Sequence, residues 1–275
     1  MLEANSKKAF TLIELSLVLV IIGLVVGGVL VGQDLIKSAT IRAQVTQIQD
    51  LETQLNTFKL KYNCLPGDCT TATDIFGASH AGVTIYNGDG NGIILSQAAA
   101  YIAGAATCLT AHTGNEVTQL FLHLKLSGLS SFSGTGVFGA LGAVGSIVVV
   151  GTDLPMVKVN STGLLVSCIN THVPGNGFGP TPVMFNSGNS ILLGFGNLFN
   201  TGRLIYRAGR WNGASNITGS GIPPDSARII DEKIDDGAPD KGTVGVLFDC
   251  SGTIGASSYT ALANTCMITI ARNLK

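Results

Sequence analysis

Residues 7–31 read KKAFTLIELSLVLVIIGLVVGGVLV, a pair of lysines followed by a long apolar run. From Phe10 to Val31 the run contains 22 residues, and Glu14 is its only charged residue. As a helix rising about 1.5 Å per residue, this run reaches roughly 33 Å, enough to cross the hydrocarbon core of a bilayer. A carboxylate inside such a span is costly to insert. We therefore predict that Glu14 is functional and that its partner is a positive charge inside the membrane.

The segment Lys8–Leu24 resembles the prepilin processing and methylation motif of type IV pilins and type II secretion pseudopilins. In that family a dedicated inner-membrane peptidase cuts before the phenylalanine and N-methylates the new terminus. The glutamate at the fifth mature position then pairs with the terminal amine of a neighbouring subunit during filament assembly. By position, the resemblance implies cleavage between Ala9 and Phe10, methylation of Phe10, and an assembly role for Glu14. The family usually has glycine where this chain has Ala9.

Two simpler interpretations of the apolar run are a secretory signal peptide and an ordinary membrane anchor. A signal peptide has a shorter apolar core followed by a small-residue cleavage site, and a plain anchor does not explain Glu14. Lys7 and Lys8 precede the span, so the positive-inside tendency places the leader in the cytoplasm. We predict a single pass through the bacterial inner membrane, with the head in the periplasm and later in a filament or at the cell surface.

Composition is consistent with a tethered head outside the cytoplasm. The chain has 275 residues, with 16 lysines and arginines against 17 aspartates and glutamates, and 36 glycines. This near balance suggests neither a nucleic-acid-binding chain nor an acidic tail, and the glycines are typical of a turn-rich head. We predict three parts: a cleaved leader at 1–9, one long helix at 10–62 that spans the membrane at 10–31, and an extracytoplasmic globular head at 63–275.

The second half of the predicted helix is amphipathic. Its apolar positions recur at three- and four-residue steps, which predicts a face packed on the head: Ile41, Ile48, Leu51, Leu55, Phe58 and Tyr62. Pro66-Gly67 is a strong turn signal that ends the helix. A further helix is predicted at Glu116–Leu126.

Runs rich in β-branched residues and bounded by Gly, Asn, Pro or Ser predict strands. These are Ser146–Gly151, Met156–Asn160, Leu164–Ile169, Pro182–Asn186, Ser190–Phe195, Arg203–Tyr206, Val244–Cys250 and Cys266–Ala271. The predicted class is α+β. The resemblance implies a pilin-like fold, in which a long N-terminal transmembrane helix packs on a glycine-rich antiparallel β head.

Six cysteines outside the cytoplasm imply a disulfide framework whose connectivity the sequence leaves open. Cys64 and Cys69 could close the turn after the helix, Cys250 and Cys266 could close a C-terminal hairpin or loop, and Cys108 would then pair with Cys168. No two of them have C-x-x-C spacing, and the histidines lack ligand spacing. These patterns argue against a structural zinc or redox site.

Two acidic stretches bear on calcium binding. Asn87-x-Asp89-x-Asn91-Gly92 matches the first half of a calcium loop, but Ala98 stands where the bidentate glutamate belongs, which favours a polar turn. A denser cluster could supply several oxygens to calcium, and the major pseudopilin of type II secretion has a calcium in its C-terminal region. Calcium ligands and a solvated acidic face both remain open for this cluster, whose candidate ligands are Asp231, Asp235, Asp236 and Asp240.

No catalytic motif is present: the chain lacks G-x-S-x-G, H-E-x-x-H and a P-loop, so we do not predict an enzyme. The resemblance implies a structural subunit of a type II secretion or type IV pilus filament. Its partners would be other pilin or pseudopilin subunits, the prepilin peptidase and the inner-membrane assembly platform. The alternative is a minor pilin whose head binds DNA for uptake or a surface for adhesion. A basic-aromatic patch would then contact nucleic acid: Arg203, Tyr206, Arg207, Arg210 and Trp211.

Overall fold

The structure is a computed structural model of the chain. It describes residues 11–80, 82–92, 94, 116–130, 132, 147–151, 154–159, 162–168, 189–195, 203–205, 222–238, 242–248 and 267–271.

One helix dominates the described residues. Helix α1 runs from Leu12 to Tyr62, 51 residues in all. It begins with Thr11 as N-cap in a capping box with Glu14, which satisfies backbone N–H groups that a helix start leaves without partners. It ends at Asn63, whose φ of 55° is left-handed, and the turn through Pro66 and Gly67 follows.

The two halves of α1 have different surroundings. Every residue from Leu12 to Val31 is exposed. In the second half one face is buried at Ile41, Gln44, Ile48, Leu51, Leu55 and Phe58. These positions recur at helical spacing, so they lie on one side of the helix. The predicted apolar stripe is therefore confirmed, with Tyr62 half-buried at its end and the polar Gln44 added to it.

The described residues after α1 contain three shorter helices: α2 at Ala72–Phe76, α3 at Glu116–Leu126 and α4 at Pro224–Ile234. The predicted bounds of α3 are confirmed, and its Leu120, Phe121 and Leu124 are buried. Sequence reasoning missed α4. It starts with proline in the first turn and buries Ala227 and Ile230, and it packs against α1.

The described strands are all antiparallel where they pair. They are β1 (Ser79–His80), β2 (Val83–Thr84), β3 (Ile147–Val149), β4 (Gly163–Cys168), β5 (Asn189–Phe195), β6 (Arg203–Ile205), β7 (Val244–Phe248) and β8 (Met267–Ala271). Four of them form a sheet in the order β4-β5-β8-β7. The other four form two pairs, β1 with β2 and β3 with β6. A long apolar helix with a small antiparallel sheet is compatible with the α+β class.

The predicted strand at Met156–Asn160 is wrong. Met156 forms one isolated bridge with Gly163, and Val157 N donates to Thr162 O across a turn. The next backbone N–H, that of Lys158, donates to Oε1 of Gln44 on α1 at 2.6 Å. A helix side chain therefore takes a hydrogen bond that a neighbouring strand would need. The strand predicted at Pro182–Asn186 lies outside the described residues.

The core joins α1, α3, α4 and the four-stranded sheet. Leu55 and Phe58 of α1, Leu120 of α3, Ile230 of α4 and Ile270 of β8 are all buried in one apolar cluster. Burial of this kind is worth about 25 cal/mol per Å² of apolar surface, so the head half of α1 is stabilised chiefly by packing.

Candidate functional site

Glu14 lies in the first turn of α1 and is bound there by Thr11. Its Oε2 accepts hydrogen bonds from the backbone N and from Oγ1 of Thr11, both at 2.8 Å. Thr11 Oγ1 in turn accepts from Glu14 N at 3.3 Å. The helix start therefore fixes the side chain of Glu14, and a carboxylate at this end also interacts favourably with the helix dipole. Sequence reasoning singled out Glu14 but missed Thr11 as its partner.

The surface around Glu14 is apolar and open. The first part of α1 is long and apolar enough to cross a membrane, and none of the most apolar stretch is buried inside the protein. Leu12, Ile13 and Leu15 beside the carboxylate are exposed. Apart from the neighbouring backbone of the helix itself, a Cβ added at Gly23, Gly27, Gly28 or Gly32 would meet no atom of the described residues within 4 Å. This segment is compatible with membrane anchoring, and its glycines leave room for the close approach of another helix.

A closed turn follows α1. Cys64 and Cys69 are joined by a disulfide, and within the turn Gly67 has a φ of +92°. A Cβ at Gly67 would lie 2.3 Å from the backbone oxygen of Glu116, so the turn is packed against the start of α3. Glycine is needed here both for its backbone conformation and for this close approach.

Asp68 joins this turn to the loop at 88–92. Its two carboxylate oxygens accept from Gly90 N and from Gly92 N, each at 2.8 Å. The half-loop that resembled a calcium loop is therefore bound by an acid from outside it. Asp89 also lies here, and its backbone N donates to Oε1 of Glu116 at 3.2 Å.

Asp68, Asp89 and Glu116 each place a carboxylate oxygen within 4.8 Å of the other two, a spacing that could hold a metal ion. Asp68 and Glu116 are buried, whereas Asp89 is exposed. Burial raises the pKa of Asp68 to about 6, and the hydrogen bonds from Gly92 and Gly90 oppose this shift. Sequence reasoning missed this group, since its members come from three separate segments.

His123 holds the same turn from α3. Its Nδ1 accepts from Gly67 N at 2.9 Å, and its ring is fully buried. The ring is stacked on Phe58 with a centroid distance of 6.4 Å and lies 5.5 Å from the ring of Phe76. Burial lowers the pKa of His123 to about 4. Sequence reasoning missed this role, because the hydrogen bond joins residues 56 positions apart.

Three of the four acidic residues predicted as calcium ligands lie close together in the structure. Asp231, Asp235 and Asp236 have oxygens within 4.8 Å of one another and could hold a metal ion, whereas Asp240 lies outside the described residues. Asp231 is buried in α4, and Asp235 Oδ2 accepts from the backbone N of Thr243 and of Val244. At least part of this cluster thus connects the end of α4 to β7.

Several predicted site residues cannot be placed. Ala9, Phe10, Cys108, Cys250 and Cys266 lie outside the described residues, and of Cys168 only the backbone in β4 is described. In the basic-aromatic patch only the backbone of Arg203 in β6 is described; Tyr206, Arg207, Arg210 and Trp211 lie outside.

Comparison with known proteins gives one finding, and it concerns the N-terminal segment. Residues 4–30 match the family model described as the prokaryotic N-terminal methylation motif. The chain carries this methylation motif. The match contains Ala9, Phe10 and Glu14, and it is consistent with the type IV pilin and pseudopilin family. The comparisons with curated proteins and with solved structures found no match.

Proposed function

We propose that this chain is a pilin-like structural subunit, a pseudopilin or minor pilin of a type II secretion or type IV pilus filament. The observation that carries the proposal is the division of α1. Its first half carries most of the methylation motif and is exposed from Leu12 to Val31, while its second half contributes one buried face to the core. One continuous helix therefore links an apolar segment that needs a membrane or other helices to a folded domain.

The apolar segment needs two environments in turn. A helix with exposed Leu17, Ile21 and Leu24 is stable in a bilayer and is not stable in water. After extraction from the membrane, the same side chains would be covered by the corresponding helices of neighbouring subunits. Gly23 and Gly27 have the small-xxx-small spacing that allows such helices to approach closely.

Glu14 would direct this transfer. Cleavage before Phe10 creates a positive terminal amine at nearly the same depth as Glu14, and in hydrocarbon a carboxylate is tolerated chiefly when it is paired. Before assembly, Thr11 supplies two hydrogen bonds to the carboxylate from within the chain. A neutral threonine leaves the charge uncompensated. We therefore propose that the amine of a neighbouring subunit's first residue adds the missing counter-charge.

The resulting topology follows from the leader. Lys7 and Lys8 keep residues 1–9 on the cytoplasmic side, residues 10–31 span the membrane, and the head at 63–275 lies in the periplasm. We propose that the head adopts a pilin-like fold. The four-stranded antiparallel sheet and the packing of α1 on the core support this assignment. The other subunits, the prepilin peptidase and the assembly platform are the proposed partners.

Cleavage by a prepilin peptidase tests the proposal. Co-expression with the peptidase is expected to shorten the chain at the bond between Ala9 and Phe10, as measured by intact mass. The variant Ala9→Gly should be cut faster, because it restores the residue usual before the cut. Ala4→Gly, a matched change within the leader, should be cut at the wild-type rate. A chain that keeps its full mass in the presence of active peptidase, in both the wild type and Ala9→Gly, would refute the proposal.

A further inference from the structure

His123 is the part of the head whose chemistry the filament role does not use. Its imidazole is fully buried, and its Nε2 has no hydrogen-bond partner among the described residues. Its Nδ1 accepts from Gly67 N, which places the proton of the neutral ring on Nε2. The ring therefore holds the turn only in its neutral form, since a doubly protonated imidazole cannot accept a hydrogen bond.

We propose that His123 is an acid-sensitive latch that fastens the turn 64–69 to α3, and that its protonation releases this end of the head. Protonation would set the new N–H of Nδ1 against the N–H of Gly67 at the present distance of 2.9 Å. It would also place a charge beside the rings of Phe58 and Phe76, away from water. Both effects are relieved when the turn moves away and the ring meets solvent.

Release of the turn has consequences beyond one hydrogen bond. Asp68 follows Gly67 directly and binds the backbone N–H groups of Gly90 and Gly92. The Cys64–Cys69 disulfide keeps the turn closed, so the turn would move as a unit. Opening the latch would therefore loosen the loop at 88–92 together with the end of α1.

Among the described residues, no charged group bonds to the imidazole. From Glu52 to its end, α1 carries the titratable residues Glu52, Lys59, Lys61 and Tyr62. The turn carries Asp68, α2 carries Asp74, and α3 carries Glu116 and Lys125. The hydrogen bond of His123 runs to Gly67, and burial is the cause that lowers its pKa from 6.5 to about 4.

The sign of the pH effect follows from this lowered pKa. The closed state binds a proton on His123 more weakly than the open state does. The contact between His123 and Gly67 therefore contributes fully to the stability of the closed state above pH 6.5, and this contribution is lost as the pH falls toward 4. Asp68 has the opposite effect on stability: because burial raises its pKa to about 6, its contribution favours the closed state as the pH falls. A comparison of two chains that both keep Asp68 cancels its contribution.

The test is amide hydrogen exchange at Gly67 in the full chain in detergent micelles, with protection referred to the unstructured rate at each pH. His123→Asn keeps an oxygen near the place of Nδ1 and cannot titrate.

The expected result is a difference in pH dependence between the two chains. Between pH 7 and pH 5 the equilibrium constant for opening of the Gly67 amide should rise roughly 20-fold more in the wild type than in His123→Asn. His80→Asn, a change at an exposed histidine, should follow the wild type. Equal pH dependence of the wild type and His123→Asn, within about twofold, would overturn the proposal.

A second measurement applies to the wild type alone. In an NMR titration, the His123 imidazole should titrate well below 6.5, and the Gly67 amide resonance should shift with the same midpoint. A midpoint at or above 6.5, or a Gly67 amide that ignores the titration, would overturn the latch even if His123→Asn does not fold.

Discussion

Replacement of Glu14 by leucine is expected to leave the chain inserted and cleaved but absent from filaments. The substitution removes a carboxylate from an apolar span, so insertion should be unchanged or improved. It also removes the proposed partner of a neighbouring Phe10 amine, and a buried amine left alone is strongly unfavourable. Incorporation into sheared filaments, measured by quantitative immunoblotting, should fall at least tenfold, which corresponds to about 1.4 kcal/mol.

Two further variants separate charge from shape at this position. Glu14→Gln keeps the size of the side chain and can still accept hydrogen bonds from Thr11, but it has no charge, so it should be nearly as defective. Ser16→Ala is the matched control, because Ser16 Oγ donates to Ile13 O within the same helix. This control should assemble normally. Normal recovery of Glu14→Leu in filaments would exclude the pairing mechanism.

The second large effect is expected at the turn after α1. Gly67→Ala should lower the free energy of unfolding of the head by about 3 kcal/mol or more. Its φ of +92° is strained for alanine, and the new Cβ would meet the backbone oxygen of Glu116 at 2.3 Å. A backbone atom in a packed helix cannot move aside easily. Urea unfolding of the full chain in detergent, followed by circular dichroism, measures the change.

Gly128→Ala isolates the conformational part of this cost. Gly128 has a φ of +74° after α3, but in the described part of the chain a Cβ there would meet no atom within 4 Å beyond its chain neighbours. Its substitution should cost only about 1–2 kcal/mol, the strain of the left-handed backbone. Equal losses in the two variants would show that the close packing of the turn on α3 does not stabilise the head.

The long helix could be predicted from the sequence because its signals are local. The run from Leu12 to Val31 is apolar over a length that spans a membrane, and the stripe from Ile41 to Phe58 follows helical periodicity. The bounds of α3 followed from the same kind of signal. For most strands the sequence predicted that a strand is present more accurately than it predicted where the strand begins and ends. Those ends are decided by pairing with a neighbouring strand.

The contacts around the turn could not be predicted, because no local signal specifies them. Asp68 binds a loop more than twenty positions away, and Gly67 meets His123 across 56 positions. At Lys158 a tertiary contact with Gln44 replaced a predicted strand. In each case tertiary packing decides which donor and acceptor form a hydrogen bond, and the residue types alone are compatible with several pairings.

Helix α4 was missed for a different reason. Its segment contains an acidic run with Asp231 and Asp235, which reads as a solvated face, and its apolar residues are few. In the structure Ala227 and Ile230 form the buried side of α4. At the start of α4, Asp225 Oδ2 lies 3.7 Å from Nζ of Lys37 on α1. A short helix of this kind is stabilised mainly by its contact with α1, which the sequence does not show.

The N-terminus of the chain in assembled filaments tests the central proposal most directly. Filaments sheared from the native cells should be analysed by mass spectrometry of the N-terminal peptide. The proposal predicts a chain that begins at Phe10, carries a methyl group on its terminal amine and lacks residues 1–9. An assembled chain that still begins at Met1 would contradict it.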